Sequence, residues 1–173
     1  MALPKAEALL EELLDIKQHY FTADRALKAQ KVDALIDSIE VALGDAGVDA
    51  NHLLTMSDRA RRAYLRGRAL DCREDYCEDA ESSLAVAVKL HPSVEHWNSM
   101  GHCQWKKGDH ATAEDCFASA LRVSPNRVSL RELSKLLRQV PARSAEEKAA
   151  LLNESLDRAK AAVHMDLADP ESW

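Results

Sequence analysis

Arg131, Lys135 and Arg138 stand at i, i+4 and i+7, the spacing that places side chains on one stripe of an α-helix. Three cations in that register suit charge-assisted capture of a carboxylate, as on an extended peptide carrying an acidic side chain. Asn98, His102 and Trp105 repeat the spacing upstream. Asparagine can hold a ligand's backbone amide through both donor and acceptor, and an indole face can take an apolar or cationic side chain. A third trio, Tyr64, Arg68 and Asp71, is mixed in character. Each candidate has a plainer alternative. A charge stripe can be a solvated face, Trp105 can pack against a following element, and Asn98 can be a polar filler.

Other chemistries are poorly served. His91, His96, His102, Cys103, His110 and Cys116 are dense in sequence, yet none falls into a C-x₂₋₄-C, H-x₃₋₅-H order, so no metal or cofactor is expected. Cys72 and Cys77, in an acidic turn, read as free thiols. The cluster Arg59, Arg61, Arg62, Arg66 and Arg68 could meet RNA phosphates, but without aromatic interleaving it reads better as a solvated helix face neutralised by Asp58, Asp71 and Glu74. There is no glycine-rich phosphate loop, nucleophile elbow or H-E-x-x-H, so catalysis is not expected.

The candidates need elements to hold them. Trp97, Gly101, Ala113, Phe117, Ala120 and Pro125 sit at the offsets of a tetratricopeptide helix pair. Small residues at Gly101 and Ala113 let two antiparallel helices approach, Trp97 and Phe117 fill the space between, and Pro125 stops the second helix. Ala80, Leu84, Ala87 and Pro92 stand thirty-three residues before Ala113, Phe117, Ala120 and Pro125, and Gly67 plays the part of Gly101. The interval from Gly67 to Ala80 is one residue longer, which places an extra residue in the turn DCREDY. The expected fold is therefore all-α, a right-handed tetratricopeptide-repeat α-solenoid with an N-terminal helical cap.

Composition agrees. With 173 residues, 5 Gly, 5 Pro and 5% aromatics, the chain has little material for sheets. A net charge of −6 and a pI near 5.6 argue against DNA binding through global charge. No apolar run approaches a membrane span, and the acidic, amphipathic start MALPKAEALLEELL is no secretory signal, so a reducing compartment is expected.

Periodicity predicts a cap over residues 1–50. Its first helix, 4–20, shows Leu9, Leu13, Ile16 and Tyr20 on one face. Its second uses Val32, Leu35, Ile36, Ile39 and Leu43, with Asp24 as cap and Gly44 as stop. Repeat one spans 51–92, with its second helix over 78–90. Repeat two spans 93–126, with helices over 93–107 and 112–123. A degenerate third repeat spans 127–169, with helices over 128–140 and 145–167 and Ser134 as the small residue at the crossing. Residues 170–173 would begin another repeat at Trp173, so the chain is expected to be the N-terminal part of a longer protein.

The string WNSMGHCQWKKGDHATAEDCFASAL, with NRVSLRELSKLLRQV and RAKAAVHMDLADPESW, resembles the N-terminal repeats of the tetratricopeptide repeat protein 5 family. The resemblance runs from about Leu65 to Trp173 and rests on residues the generic repeat does not demand: 105–109, Val128-Ser129-Leu130 and Leu137-Arg138-Gln139. It implies a recognition factor that reads the N-terminal Met-Arg-Glu peptide of nascent tubulin at the ribosome and triggers tubulin mRNA decay. It also implies a stress-response cofactor of transcriptional co-activators, hence a cytoplasmic and nuclear setting. The family's peptide-binding arginine corresponds, within the LRQ match, to Arg138. A chaperone-docking clamp is disfavoured, because Tyr64, Ser99 and Glu132 stand where such domains place lysine, asparagine and arginine.

Overall fold

A computed structural model describes residues 2–19, 25–44 and 54–168. Tyr20, Asp24, the connection over 45–53 and Trp173 lie outside them. Every regular element among the described residues is a helix: α1 (Ala2–His19), α2 (Arg25–Gly44), α3 (Met56–Leu70), α4 (Glu78–Leu90), α5 (Val94–Lys107), α6 (His110–Val123), α7 (Arg127–Gln139) and α8 (Ala145–Ala168). The chain forms two compact units, Met1–Pro92 and Ser93–Trp173.

In the first unit α1 pairs with α2, α3 pairs with α4, and both early helices pack on α3. On α1 Ala6, Leu10 and Leu13 are buried, so the face turns toward Ala6 and Leu10 and leaves Leu9 and Ile16 half-buried; on α2 the expected Val32, Ile36, Ile39 and Leu43 are buried and Leu35 is half-buried. Helix α3 starts where Thr55 and Asp58 close a capping box, each side chain bonding the other's backbone N–H. That use of Asp58 changes the expected charge partners. Arg68 does reach Asp71, at 3.6 Å, but Arg61 pairs with Glu7 of α1 at 2.8 Å and Arg66 with Glu40 of α2 at 2.9 Å. Arg73 similarly reaches Asp33 at 3.2 Å. The arginines thus join α3 and its following turn to the two preceding helices; partly exposed pairs of this kind are worth about 0.2–1 kcal/mol each.

The α3–α4 crossing turns on Gly67. A Cβ there would stand 2.8 Å from Leu84 Cγ, 2.9 Å from the Leu84 backbone nitrogen and 3.0 Å from the Ala80 carbonyl oxygen. In the second unit the equivalent atom on Gly101 would meet the Phe117 ring at 2.7 Å. Phe117 is fully buried, with Ala113, Leu133 and Leu136 around it. Trp97, expected to fill the same space, is only half-buried. The third pair solves its crossing differently: Ser155 of α8 donates to the Ser134 carbonyl at 2.8 Å, and the two hydroxyls lie 3.1 Å apart.

Helix ends follow from caps that the periodicity underweighted. Asp109 accepts from the Thr112 backbone N–H, so α6 begins at His110 rather than Thr112. Gly108, at φ 89°, supplies the left-handed residue that makes a two-residue turn possible between α5 and α6. The α3–α4 turn, residues 71–77, is far longer because both flanking helices are cut back, although the net insertion is the one residue expected. After α4 and α6 the same stop recurs: His91 N–H donates to Ala87 O at 2.9 Å and Ser124 N–H to Ala120 O at 3.1 Å, just before Pro92 and Pro125.

Gly67→Ala tests the crossing. Alanine would favour the helix by about 1 kcal/mol, but its methyl meets backbone atoms that cannot swing aside. The variant is expected to lose about 2 kcal/mol of stability by chemical denaturation; unchanged or raised stability would show that the helices can part without cost.

Candidate functional site

All six candidate residues lie in the second unit. Asn126 caps α7 by accepting from the Ser129 backbone N–H, and Ser129, Leu130, Leu133, Leu136 and Leu137 bury one broad side of the helix. The 3.6-residue period then leaves Arg131, Lys135 and Arg138 toward the outer side, where Arg131 and Arg138 are exposed and Lys135 is half-buried.

Their charges are not equivalent. Glu132 is only 5% exposed, and one of its oxygens, Oε1, accepts from Arg131 Nε at 3.2 Å and from Lys135 Nζ at 3.0 Å. The expected row of three cations is therefore present in position but partly neutralised, because two of its members converge on one carboxylate. Arg138 contacts something else. Its Nε donates to the Ser134 carbonyl, one turn back, at 3.3 Å, and the terminal guanidinium nitrogens take no part in that bond. A cation in the last turn of α7 is also favoured by the helix dipole.

The trio on α5 has more structural work than its spacing suggested. Asn98 is buried, and its carboxamide oxygen accepts from Ser129 Oγ at 2.7 Å. One acceptor position of its oxygen is thus engaged by α7. Trp105 Nε1 donates to Gln139 Oε1 at 3.1 Å, and the indole meets Phe117 edge-on with ring centres 6.4 Å apart. This geometry serves packing against the following helix pair, the plainer of the two expectations for Trp105. His102 lies near-parallel to Trp105, at 6.4 Å, and edge-on to Phe117, at 5.4 Å. Asn98 and Trp105 consequently tie α5 to opposite ends of α7. In the sequence Ser129 and Gln139 stand out only through the family resemblance and Glu132 only as a departure from a chaperone clamp, none of them as part of the site; for Glu132 the i, i+3 spacing with Lys135 was the available signal.

Among the described residues no group of three His, Cys, Asp or Glu side chains could hold a metal ion. A separate concave space of about 1190 Å³ lies in the first unit, bordered by Lys17, Lys28, Val32, Asp33 and the α3–α4 turn, and none of the six candidates lines it. Some of its charged groups are engaged within the fold, with Lys17 donating to the Asp71 carbonyl at 3.4 Å and Arg73 paired to Asp33.

The cysteines are thiols, with Cys72, Cys103 and Cys116 buried and Cys77 partly accessible. Burial, aided by the neighbouring charges of Asp115 and Asp109, pushes the Cys116 thiol up to about 11 from 9.0. The neutral thiol is thereby favoured in the fold, so its contribution to stability is complete below pH 9 and is lost as pH rises towards 11. Iodoacetamide at pH 8 is expected to label Cys77 first and to spare Cys116 until the chain unfolds. Equal labelling of the two in peptide mapping of the folded chain would contradict this environment.

No protein-family model matches the chain. Tetratricopeptide repeat protein 5 of Mus musculus is 38% identical to it over 180 residues, and those of Bos taurus and Homo sapiens are 36% and 35% identical. Each similarity covers 99% of this chain and 39% of the relative, so the chain spans about two fifths of the length of these relatives. The likeness thus extends through α1 and α2, beyond the stretch from Leu65 onward that carries the resemblance in the sequence motifs. In fold and in sequence, the chain is a tetratricopeptide repeat protein 5-like region built of paired helices.

Proposed function

We propose that this tetratricopeptide scaffold forms part of a recognition face for the N-terminal Met-Arg-Glu peptide of nascent tubulin at the ribosome, acting in tubulin mRNA autoregulation without catalysis of its own. Repeats of this kind are protein-interaction scaffolds, and the finer reading adds a particular ligand. One observation carries it: Arg138 is exposed at the end of α7, with its terminal nitrogens outside the Nε bond to Ser134, while Arg131 and Lys135 are drawn onto Glu132. A guanidinium so placed can meet the peptide's glutamate in a fork of two hydrogen bonds. Arg131 and Lys135 add longer-range attraction, His102 and the half-buried face of Trp105 offer aromatic surface, and the Asn98 amide offers a donor beside them.

The test is fluorescence anisotropy of a labelled Met-Arg-Glu tubulin peptide against the chain and its Arg138→Ala variant. Saturable binding that weakens at least about tenfold in the variant is expected, since alanine removes both charged hydrogen bonds of the fork. Equal binding by both, or none by a folded chain, would overturn the reading and favour the alternative, a scaffold for stress-response transcriptional co-activators that uses other surfaces.

A further inference from the structure

A carboxylate buried to 5% exposure beneath a row of cations is unusual, because burying a charge is costly unless partners compensate it. Glu132 has two such partners, Arg131 at 3.2 Å and Lys135 at 3.0 Å, and both reach the same oxygen. It sits in the middle of α7, between the Asn98–Ser129 bond near one end of the helix and the Trp105–Gln139 bond at the other. With both flanking positions tied to α5, the carboxylate has little room to move. The consequence for a ligand is selective. Two of the three cations are held sideways and partly neutralised, whereas the third, Arg138, bonds through Nε to a backbone carbonyl and keeps its full charge.

We propose that Glu132 is a specificity-determining, positioning residue of this face, restricting it to peptides that present a single carboxylate and disfavouring polyacidic segments. The proposal rests on the peptide-binding reading of α7 and deepens it. A polyacidic ligand needs several unspent cations at once. Glu132 competes for Arg131 and Lys135 and repels the additional carboxylates at short range, which is how like charge excludes wrong partners. A ligand with one carboxylate meets Arg138 alone and is little affected.

The experiment compares the wild-type chain with Glu132→Gln and Glu132→Asp, titrating each against the Met-Arg-Glu peptide and against hexaglutamate. Glutamine keeps the shape and the hydrogen-bond acceptor but removes the charge; aspartate keeps the charge. For Glu132→Gln, hexaglutamate affinity is expected to rise about fivefold at low salt, with the gain fading at 0.5 M salt, while the Met-Arg-Glu affinity stays within about twofold. Glu132→Asp should keep the wild-type preference. A purely structural strut would weaken both ligands in proportion or change neither, and either result overturns the proposal. The hexaglutamate arm is independent of the tubulin peptide. A gain there without any wild-type binding of Met-Arg-Glu would fault the proposed ligand and leave the role of Glu132 standing, whereas binding of Met-Arg-Glu with no gain on hexaglutamate would do the reverse.

Discussion

The closest approach between paired helices is the constraint on which the rest of this structure depends. At Gly67 and Gly101 there is no room for even one methyl group, because Leu84 and Phe117 already occupy the volume that a Cβ would need. Close-packed interiors resist such intrusions, since a neighbour must leave its rotamer or its backbone position to admit them. The third pair lacks a glycine and separates its helices around two serines instead, at the cost of burying hydroxyls that must bond one another and the backbone, as Ser134 and Ser155 do. The turns matter less. Seven residues join α3 to α4 and two join α5 to α6, yet both pairs keep a glycine against the large residue of the partner helix. Register in each pair is therefore set at the crossing and merely accommodated by the turn.

From that packing follows the placement of the candidate face. Helix α7 contributes leucines to the core around Phe117 on one side and cations on the other, and its rotation is fixed by Leu133 and Leu136. Side-chain bonds from Asn98 and Trp105 then hold α5 alongside. These are residues that a spacing argument would assign to a ligand, and their engagement with the fold gives the face rigidity. Rigid placement lowers the entropy that binding would otherwise cost, so a residue can serve recognition by positioning others without touching a ligand. Asn98 and Trp105 fit that description in addition to any contact their remaining faces offer.

Much of the architecture was legible in the sequence. Glycine, alanine and proline at repeat offsets fix where two helices cross and stop, and those are local steric requirements that leave a local trace. The boundaries of α4 and of α8 at its start were readable for the same reason. Less legible were the effects of capping and of partners distant in sequence. Asp109 lengthened α6 by binding a backbone N–H, and Asp58 was drawn into a cap and so left Arg61 and Arg66 to seek Glu7 and Glu40. A helical wheel shows that Arg131, Lys135 and Arg138 share a stripe. It cannot show that a buried glutamate among them takes up two, because burial is decided by the helices packed against α7 and not by the sequence of α7 alone.

That last distinction bears on how an acidic chain can favour an anionic ligand. A net charge of −6 governs attraction at long range, but at physiological salt exposed charges lose most of their influence beyond roughly 8 Å. On its own helix, at 1.5 Å rise per residue, Lys135 lies about 4.5 Å from Arg138 along the axis, while Glu132 and Arg131 lie about 9 and 10.5 Å away, at the edge of that range. Arg131 and Lys135 draw an anion closer, Glu132 limits how many anions they can serve, and the fork of Arg138 rewards one well-directed carboxylate over diffuse negative charge. Overall charge and local preference thus have opposite signs without conflict, because different sets of residues act over different distances.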